Sequence, residues 1–353
     1  MANYVDKSCI KIGSSSIARN WLFAPATYLV DSFTPFVEEI YLPVVATEPG
    51  SIKFTFYANG VANPPVKKYF SKIKSLYYQK DKLLTQQHDN VYLDLRAYSP
   101  GNLSHSIMIH LPLALTARAY LLSIKEQAPT LIFPTNLPAY VHKLFVEIGF
   151  ELLITDQKVV GKLCEYEVSS VVSIRSILPD IIKDLLLGSD FSKELLRRSE
   201  ALPKKVFISR KDTRRLTNEA EVEEVLKQHG YQKIYMEDYD ILDQVAMVSL
   251  ADNIVAIHGA ALGPLVFRSL FDIKPLKFVE IFTPAHMANV YRVLTYQLGG
   301  KWIGVRGKLW PKLVEQAYEC ESSIVRQYSL LDFEVCLLSL EKALNNFESP
   351  SVG

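Results

Sequence analysis

The chain has 353 residues, of which 49% are hydrophobic and 22% charged. This is ordinary globular composition, and it excludes disorder as the main state because there is ample apolar surface to bury against chain entropy. Lys and Arg total 39 and Asp and Glu 38, a net charge of +1, so no global basic field points to nucleic acid as a partner.

At ~150 residues per domain the length suggests two domains. Cys9, Cys164, Cys320 and Cys336 are widely scattered. No CxxC or Cys/His pair has zinc-ligand spacing, and no dense disulfide frame is suggested. Buried thiols in a reducing compartment are expected. There is no run of ~18 apolar residues. The N-terminus lacks a basic stretch followed by an apolar core and a small-residue cleavage site. The expected location is cytoplasmic.

In chain order, residues 40–46, 52–57 and 91–95 are short β-branched or aromatic runs between Pro, Gly and Asn, and they predict strands. Residues 103–124 form an apolar stretch broken by polar residues, read as a buried helix bent near Pro112. A strand over 130–133, a helix over 139–148 and strands over 151–154 and 164–172 follow. Ile181, Ile182, Leu185, Leu186, Leu195 and Leu196 have helical spacing over 176–200.

The second half alternates regularly. Strands are predicted at 205–209, 233–236, 253–257, 277–282 and 302–305. Between them, Asn218 with Glu221 marks one helix start and Asp240 another. Further helices are predicted from Gly259 to 267, over 285–298 and over 332–346. Such βαβα alternation argues an α/β fold, a parallel sheet covered by helices on both faces.

The residues able to carry chemistry fall where strands end and helices begin. They are Ser209-Arg210, Arg214-Arg215, Asn218-Glu219, Asp243-Gln244, Ala251-Asp252, His258-Gly259-Ala260-Ala261-Leu262 and Glu280. In an open parallel sheet ligands bind at that carboxyl edge. Arginines there can fork onto phosphate oxygens. A Gly-Ala-Ala helix start lets a phosphate approach free N–H groups and the positive end of the helix dipole. Glu280 is placed to accept hydrogen bonds from a ribose diol. Together these describe a nucleotide-diphosphate site.

The ordered set resembles glycosyltransferase family 61, inverting nucleotide-sugar enzymes of polysaccharide and protein-glycan synthesis. In the first half, Gly101-Asn102-x-x-His105 with Leu111-Pro112 resembles the family's aromatic-rich segment. Ser104 and Ser106 stand where the family carries aromatics, and Gly263-Pro264 where it usually has an Asn. The resemblance spans roughly residues 100–305.

It implies a GT-B-like architecture, two Rossmann-like domains facing across a cleft. Residues 1–175 would form the acceptor-side domain and 176–329 the nucleotide-sugar domain, with a helix over 330–348 crossing back to the first. Arg210, Arg215, Asn218, His258, Gly259, Ala260 and Glu280 would bind the donor, and His105 would be the catalytic base. No resident metal or cofactor is implied. The donor, a UDP-sugar by expectation, is a substrate. The acceptor would be a glycan, glycolipid or lipid-linked saccharide of a bacterial surface polysaccharide.

Each feature has a plainer reading. Arg210 and Arg215 could be surface ion pairs, with Arg214 the less favoured partner for phosphate. His258 could be a satisfied core histidine, and His105 one packed at a helix start. Glu280 could pair with Lys277, and Asn218 and Glu219 could only cap a helix. Asp238-Tyr239-Asp240 spells a metal-binding D-x-D triplet, but Asp240 has work as an N-cap. Lys67, Lys68, Lys72, Lys74, Lys80 and Lys82 interleave with Tyr69, Phe70, Tyr77 and Tyr78, either a solvated face or a peripheral membrane contact. G-x-S-x-G, G-x-G-x-x-G and P-loop patterns are missing. A catalytically inactive glycan-binding or scaffold subunit remains the alternative. A lumenal enzyme is a third reading, with Asn102-Leu103-Ser104 as its sequon.

Overall fold

The computed structural model describes residues 20–25, 35–40, 52–63, 84–85, 90–168, 171–284, 288, 290–308 and 330–348. The lysine-rich stretch 67–82, Cys9 and Cys320 lie outside them. The chain divides into two compact units. One holds the described residues from 52 to 194. The other holds 20–25, 35–40 and everything from 195 onward. The break falls inside the helix Asp190–Ser199, later than the boundary expected at 175.

The first unit is built on strands β3 (Ile52–Ala62), β4 (Leu84–Thr85), β5 (Val91–Asp94), β6 (Thr130–Phe133), β7 (Leu152–Ile154) and β8 (Val159–Val168). Their order is β3-β8-β5-β6-β7, with β4 beside β8. β5, β6, β7 and β8 pair in parallel, and β3 runs antiparallel to β8. All four residues of β6 are buried, as expected for a parallel strand covered on both faces. Phe133 packs edge-on against Phe145 of the helix Ala139–Glu147.

The helix Leu103–Ser123 is long and apolar enough to cross a membrane, yet it is mostly buried inside this unit. It is apolar all round because it is a core helix. Ser106–His110 forms a π turn, and the N–H of Leu111 reaches the carbonyl of Ser106. That wider turn admits Pro112, which lacks an N–H and would clash in a regular α turn. The helix therefore continues through Pro112 in modified form.

Two elements differ from what periodicity alone predicts. The helix expected over 176–200 is two, Val171–Leu186 and Asp190–Ser199, parted at Gly188 with φ +74°. The strand expected to reach 172 ends at Val168.

The second unit is a seven-stranded sheet ordered β10-β9-β11-β12-β13-β1-β2. Here β1 is Asn20–Pro25, β2 Pro35–Ile40, β9 Lys205–Ser209, β10 Gln232–Tyr235, β11 Asn253–Ile257, β12 Lys277–Phe282 and β13 Lys301–Arg306. All neighbours pair in parallel except β1 and β2. Among β9 to β13 the chain order reverses between β9 and β11, a topological switch point where such sheets bind ligands.

Alternate strand residues face opposite sides. Phe207, Val255, Ile257, Val279, Ile281, Ile303 and Val305 share one core cluster with Val222 and Leu226 of the helix Glu219–Gln228. Leu340, Ala343, Leu344 and Phe347 of the final helix, Leu337–Glu348, complete it. This helix had been expected to cross back to the first domain. It packs on its own sheet instead, because its apolar face fits that cluster.

Candidate functional site

The site forms outside the carboxyl ends of β9 and β11. Arg210 follows β9 directly, and His258-Gly259 follow β11. Arg210 Nη1 donates to the His258 carbonyl at 3.2 Å, and Arg214 Nη1 donates to the same oxygen at 3.0 Å. Two guanidiniums thus converge where the 3₁₀ helix Ala260–Leu270 begins. The first N–H groups of any such helix lack intrahelical partners and favour an anion.

Neither guanidinium makes an ion pair among the described residues. Burial lowers the pKa of both below the usual arginine value, and the Arg210 charge lowers that of Arg214 further. Glu237 and Asp212 act on Arg210 only as smaller, opposing influences. The Nε of Arg214 is buried with no hydrogen-bond partner. Like charges held together with an unused donor can take an anion.

Arg214 has φ +61°, a left-handed conformation uncommon outside glycine. Its loop is zipped to the chain before the final helix. Arg214 N donates to the Leu330 carbonyl at 3.1 Å, Thr217 N to that of Phe333 at 2.8 Å, and Phe333 N to that of Arg215 at 3.0 Å. The Asn218 amide donates to the Val335 carbonyl at 2.9 Å and accepts from the Val335 N–H at 3.1 Å. Asn218 therefore braces this zipper. It makes no side-chain cap and offers its amide to the chain instead of to a donor nucleotide.

Arg215 turns the other way. Its Nε and Nη2 bind Asp332 Oδ2 at 3.0 and 2.6 Å on an exposed surface. The expected pair Arg210 and Arg215 is thus replaced at the sheet edge by Arg210 and Arg214. Glu219 accepts from Ser209 and, at 3.0 Å, from the Tyr235 hydroxyl. It orients neither arginine.

Glu280 also departs from expectation. It is fully buried on β12, in register between Ala256 of β11, which has only a methyl side chain, and Gly304 of β13, which has none. Its Oε1 lies 2.6 Å from His258 Nδ1, and its Oε2 accepts from Trp302 Nε1 at 2.7 Å. A carboxylate so enclosed cannot read a ribose. It fixes the His258 ring, which also stacks on Phe282 and touches Tyr291. Burial raises the Glu280 pKa, opposed by His258, Trp302 and the Arg292 charge.

Two other groups support the edge. Arg268, buried near the end of the 3₁₀ helix, donates to the carbonyls of Ser249, Ala251 and Lys274. Asp240 caps the helix Ile241–Leu250 through the Leu242 N–H at 3.0 Å, as expected. Asp240 also meets Arg198, while Asp238 meets Lys211. The D-x-D carboxylates are engaged separately by cations.

In the first unit, His105 ends the first turn of the core helix, where Asn102 accepts from its N–H at 3.2 Å. Its Nδ1 lies 3.1 Å from the Tyr98 carbonyl. A carbonyl only accepts, so this contact selects the tautomer with the proton on Nδ1 and the lone pair on Nε2. That tautomer suits a general base. Tyr98 and Ser99 both have positive φ, 58° and 54°, in the loop leading to it.

Strand-end placement could have raised Arg214 as readily as Arg215. Trp302, Tyr291 and Arg292 had no local signal, because they reach the site only through sheet register and packing.

A family model described as Glycosyltransferase 61 matches residues 36–270, more than half of the chain. The chain belongs to glycosyltransferase family 61. Membership makes the protein a glycosyltransferase, acting between a sugar donor and a glycan acceptor. The matched span includes His105, Arg210, Arg214, His258 and Gly259, and stops before Glu280. No curated protein matches the chain.

Proposed function

We propose that this glycosyltransferase family 61 member moves a sugar, with inversion, from a nucleoside-diphosphate donor to a saccharide acceptor. The observation that carries the reading is the convergence of Arg210 and Arg214 on the His258 carbonyl, without an acidic partner among the described residues. The diphosphate would lie against both guanidiniums and the start of the 3₁₀ helix. His258, held by Glu280, would line the same edge.

In the reaction the acceptor oxygen attacks the anomeric carbon and its proton passes to His105 Nε2. The bond to the diphosphate breaks, and its electron pair leaves with the phosphate oxygen. Fixed positive charge stabilises that developing anion without reorganisation. The two guanidiniums supply this role in a metal-independent site. A GT-B-like arrangement, with acceptor on the first unit and donor on the second, belongs to the same proposal. So do a UDP-sugar as donor, a bacterial surface polysaccharide or its lipid-linked precursor as product, and a cytoplasmic place of action at the inner membrane face.

The test is calorimetric titration of UDP into the wild type and the variants Arg210→Ala, Arg214→Ala and Arg215→Ala. A hydrogen bond to a charged group contributes about 1.5–3 kcal/mol. The first two variants should therefore weaken binding at least tenfold, while Arg215→Ala changes it little. Wild-type affinity in both Arg210→Ala and Arg214→Ala would remove the assignment.

A further inference from the structure

Tyr98 and Ser99, with φ 58° and 54°, are the only consecutive non-glycine residues in the left-handed region among the described residues. Such conformations cost energy and persist only where the surroundings over-determine them. The pair sits at an exposed loop tip, Tyr98 being 55% exposed, so the strain does not serve burial in the core.

Every carbonyl of the loop from Ala97 to Gly101 accepts a hydrogen bond. Ala97 accepts from His110 Nε2 at 2.8 Å, and Tyr98 from His105 Nδ1 at 3.1 Å. Ser99 accepts from the Asn102 N–H at 3.0 Å, and Pro100 from the Ser106 hydroxyl. Gly101 accepts from the Tyr140 hydroxyl at 3.0 Å. Four of these five donors lie between residues 102 and 110, at the start of the core helix.

The π turn Ser106–His110 positions the last of them. Its i→i+5 closure brings residues five apart onto one side, which an α turn does not. The His110 ring therefore returns beside the His105 carbonyl, 3.1 Å from Nδ1, while Nε2 reaches Ala97. A neutral ring donates from one nitrogen only, and the shorter contact favours Nε2. Ser106 and His110 are fully buried, and the His110 ring packs against Phe133 of β6, so their hold on the loop is tied to the core of the unit. The His105 ring is the half-buried member of the set. A carbonyl on a mobile loop would turn away from that ring and let its proton move between the two nitrogens. A carbonyl on an anchored loop keeps it on Nδ1.

We infer that loop 97–101 is a carbonyl clamp that keeps His105 in the Nδ1–H form, and that His110 and Ser106 are positioning residues acting through it. The inference rests on the proposed role of His105 as base and says what prepares that base. With its proton fixed on Nδ1, the ring takes the acceptor proton on the Nε2 lone pair. The imidazolium so formed still donates from Nδ1 to the Tyr98 carbonyl.

The experiment is nitrogen-15 NMR of the histidine rings in the full chain at pH 8, with the His105 signals assigned by their loss in His105→Gln. The shifts of the two ring nitrogens report which one carries the proton. Wild type should show at least a threefold excess of the Nδ1–H form at His105. His110→Phe, which keeps an aromatic ring but no donor, should lose that excess. His110→Gln, whose amide can replace the donor to Ala97, should keep it. A destabilised but intact fold would not by itself move this ratio. The clamp is overturned if His110→Phe retains the excess, or if His110→Gln loses it as well. Should His110→Phe not fold, Ser106→Ala takes its place: loss of the excess supports the clamp and retention overturns it. An Nε2–H excess in wild type overturns both the clamp and the base role of His105. UDP titration separates these results from the donor site. A failed clamp with UDP binding still dependent on Arg210 and Arg214 leaves the donor reading standing, and loss of that dependence removes the donor reading alone.

Discussion

The guanidinium of Arg210 occupies the space that a Cβ on Gly259 would fill. Gly259 is extended, with φ 175° and ψ 177°, so any residue could adopt its backbone. Close approach, not a special dihedral, requires the glycine here.

Gly259→Ala should therefore fold normally, because the displaced atom is the free end of a flexible side chain. Arg210 would swing off the His258 carbonyl. We expect UDP affinity to fall about tenfold, or ~1.4 kcal/mol, with little change in the melting temperature. Calorimetry and thermal melts on one preparation check this, and unchanged affinity would count against the role of Arg210.

Glu280 ties His258 to Trp302 from a fully buried position. Removing the buried carboxyl takes away the acceptor of the Trp302 indole N–H and the partner of the His258 ring, at about 1–3 kcal/mol for each buried polar group that loses its bond. Glu280→Ala should destabilise the second unit by that order in urea unfolding. Glu280→Gln keeps the shape but turns an N–H toward one of two partners. It should cost about 1–3 kcal/mol, leaving one polar group unsatisfied. The indole N–H resonance of Trp302 reports which partner is lost.

His110 is fully buried, with Nε2 2.8 Å from the Ala97 carbonyl and Nδ1 3.1 Å from the His105 carbonyl. Burial lowers its pKa below the usual histidine value and outweighs the two carbonyls, to only one of which a neutral ring can donate. As pH falls, the unfolded chain takes up its proton first, near pH ~6.5. Stability from neutral His110 is therefore present above that pH and lost progressively below it. The urea midpoint should drop between pH 7.5 and 5.5, and drop less in His110→Phe.

Cys164 is buried on β8, and burial pushes its thiol up to about 12. The thiolate is the reactive form. At pH 8 the native protein should leave Cys164 unlabelled by a thiol reagent, while urea exposes it. Peptide mapping after labelling reads the site directly, and the half-buried Cys336 provides the contrast.

The second half of the fold was legible because its buried parallel strands are unbroken apolar runs, each followed by a polar residue at the sheet edge. Val206-Phe207-Ile208 before Arg210 and Ile254-Val255-Ala256-Ile257 before His258 are of this kind. The place of β1 beside β13 was not legible, because pairing between distant segments leaves no local periodicity. The helix break at Gly188 was hidden by apolar spacing that continues across it. At the site, the arginine-rich edge was visible, but not which arginine faces inward. That choice follows from the left-handed turn at Arg214 and from Asp332, neighbours only after folding. Glu280 was read as a ligand contact from its place near a strand end. Sheet register instead sets it among Ala256, Gly304 and Trp302.

The pairing of Trp21 with Ile303 also governs how the protein is made. During translation β1 emerges before the other described strands, and its parallel partner leaves the ribosome about 280 residues later. The intervening unit can fold meanwhile, whereas the antiparallel β1–β2 pair must wait with the far edge of β1 unpaired. Parallel contacts of such wide separation are slow to form and leave strands open to aggregation. Newly made chains should therefore depend on chaperones most during the interval before β13 appears.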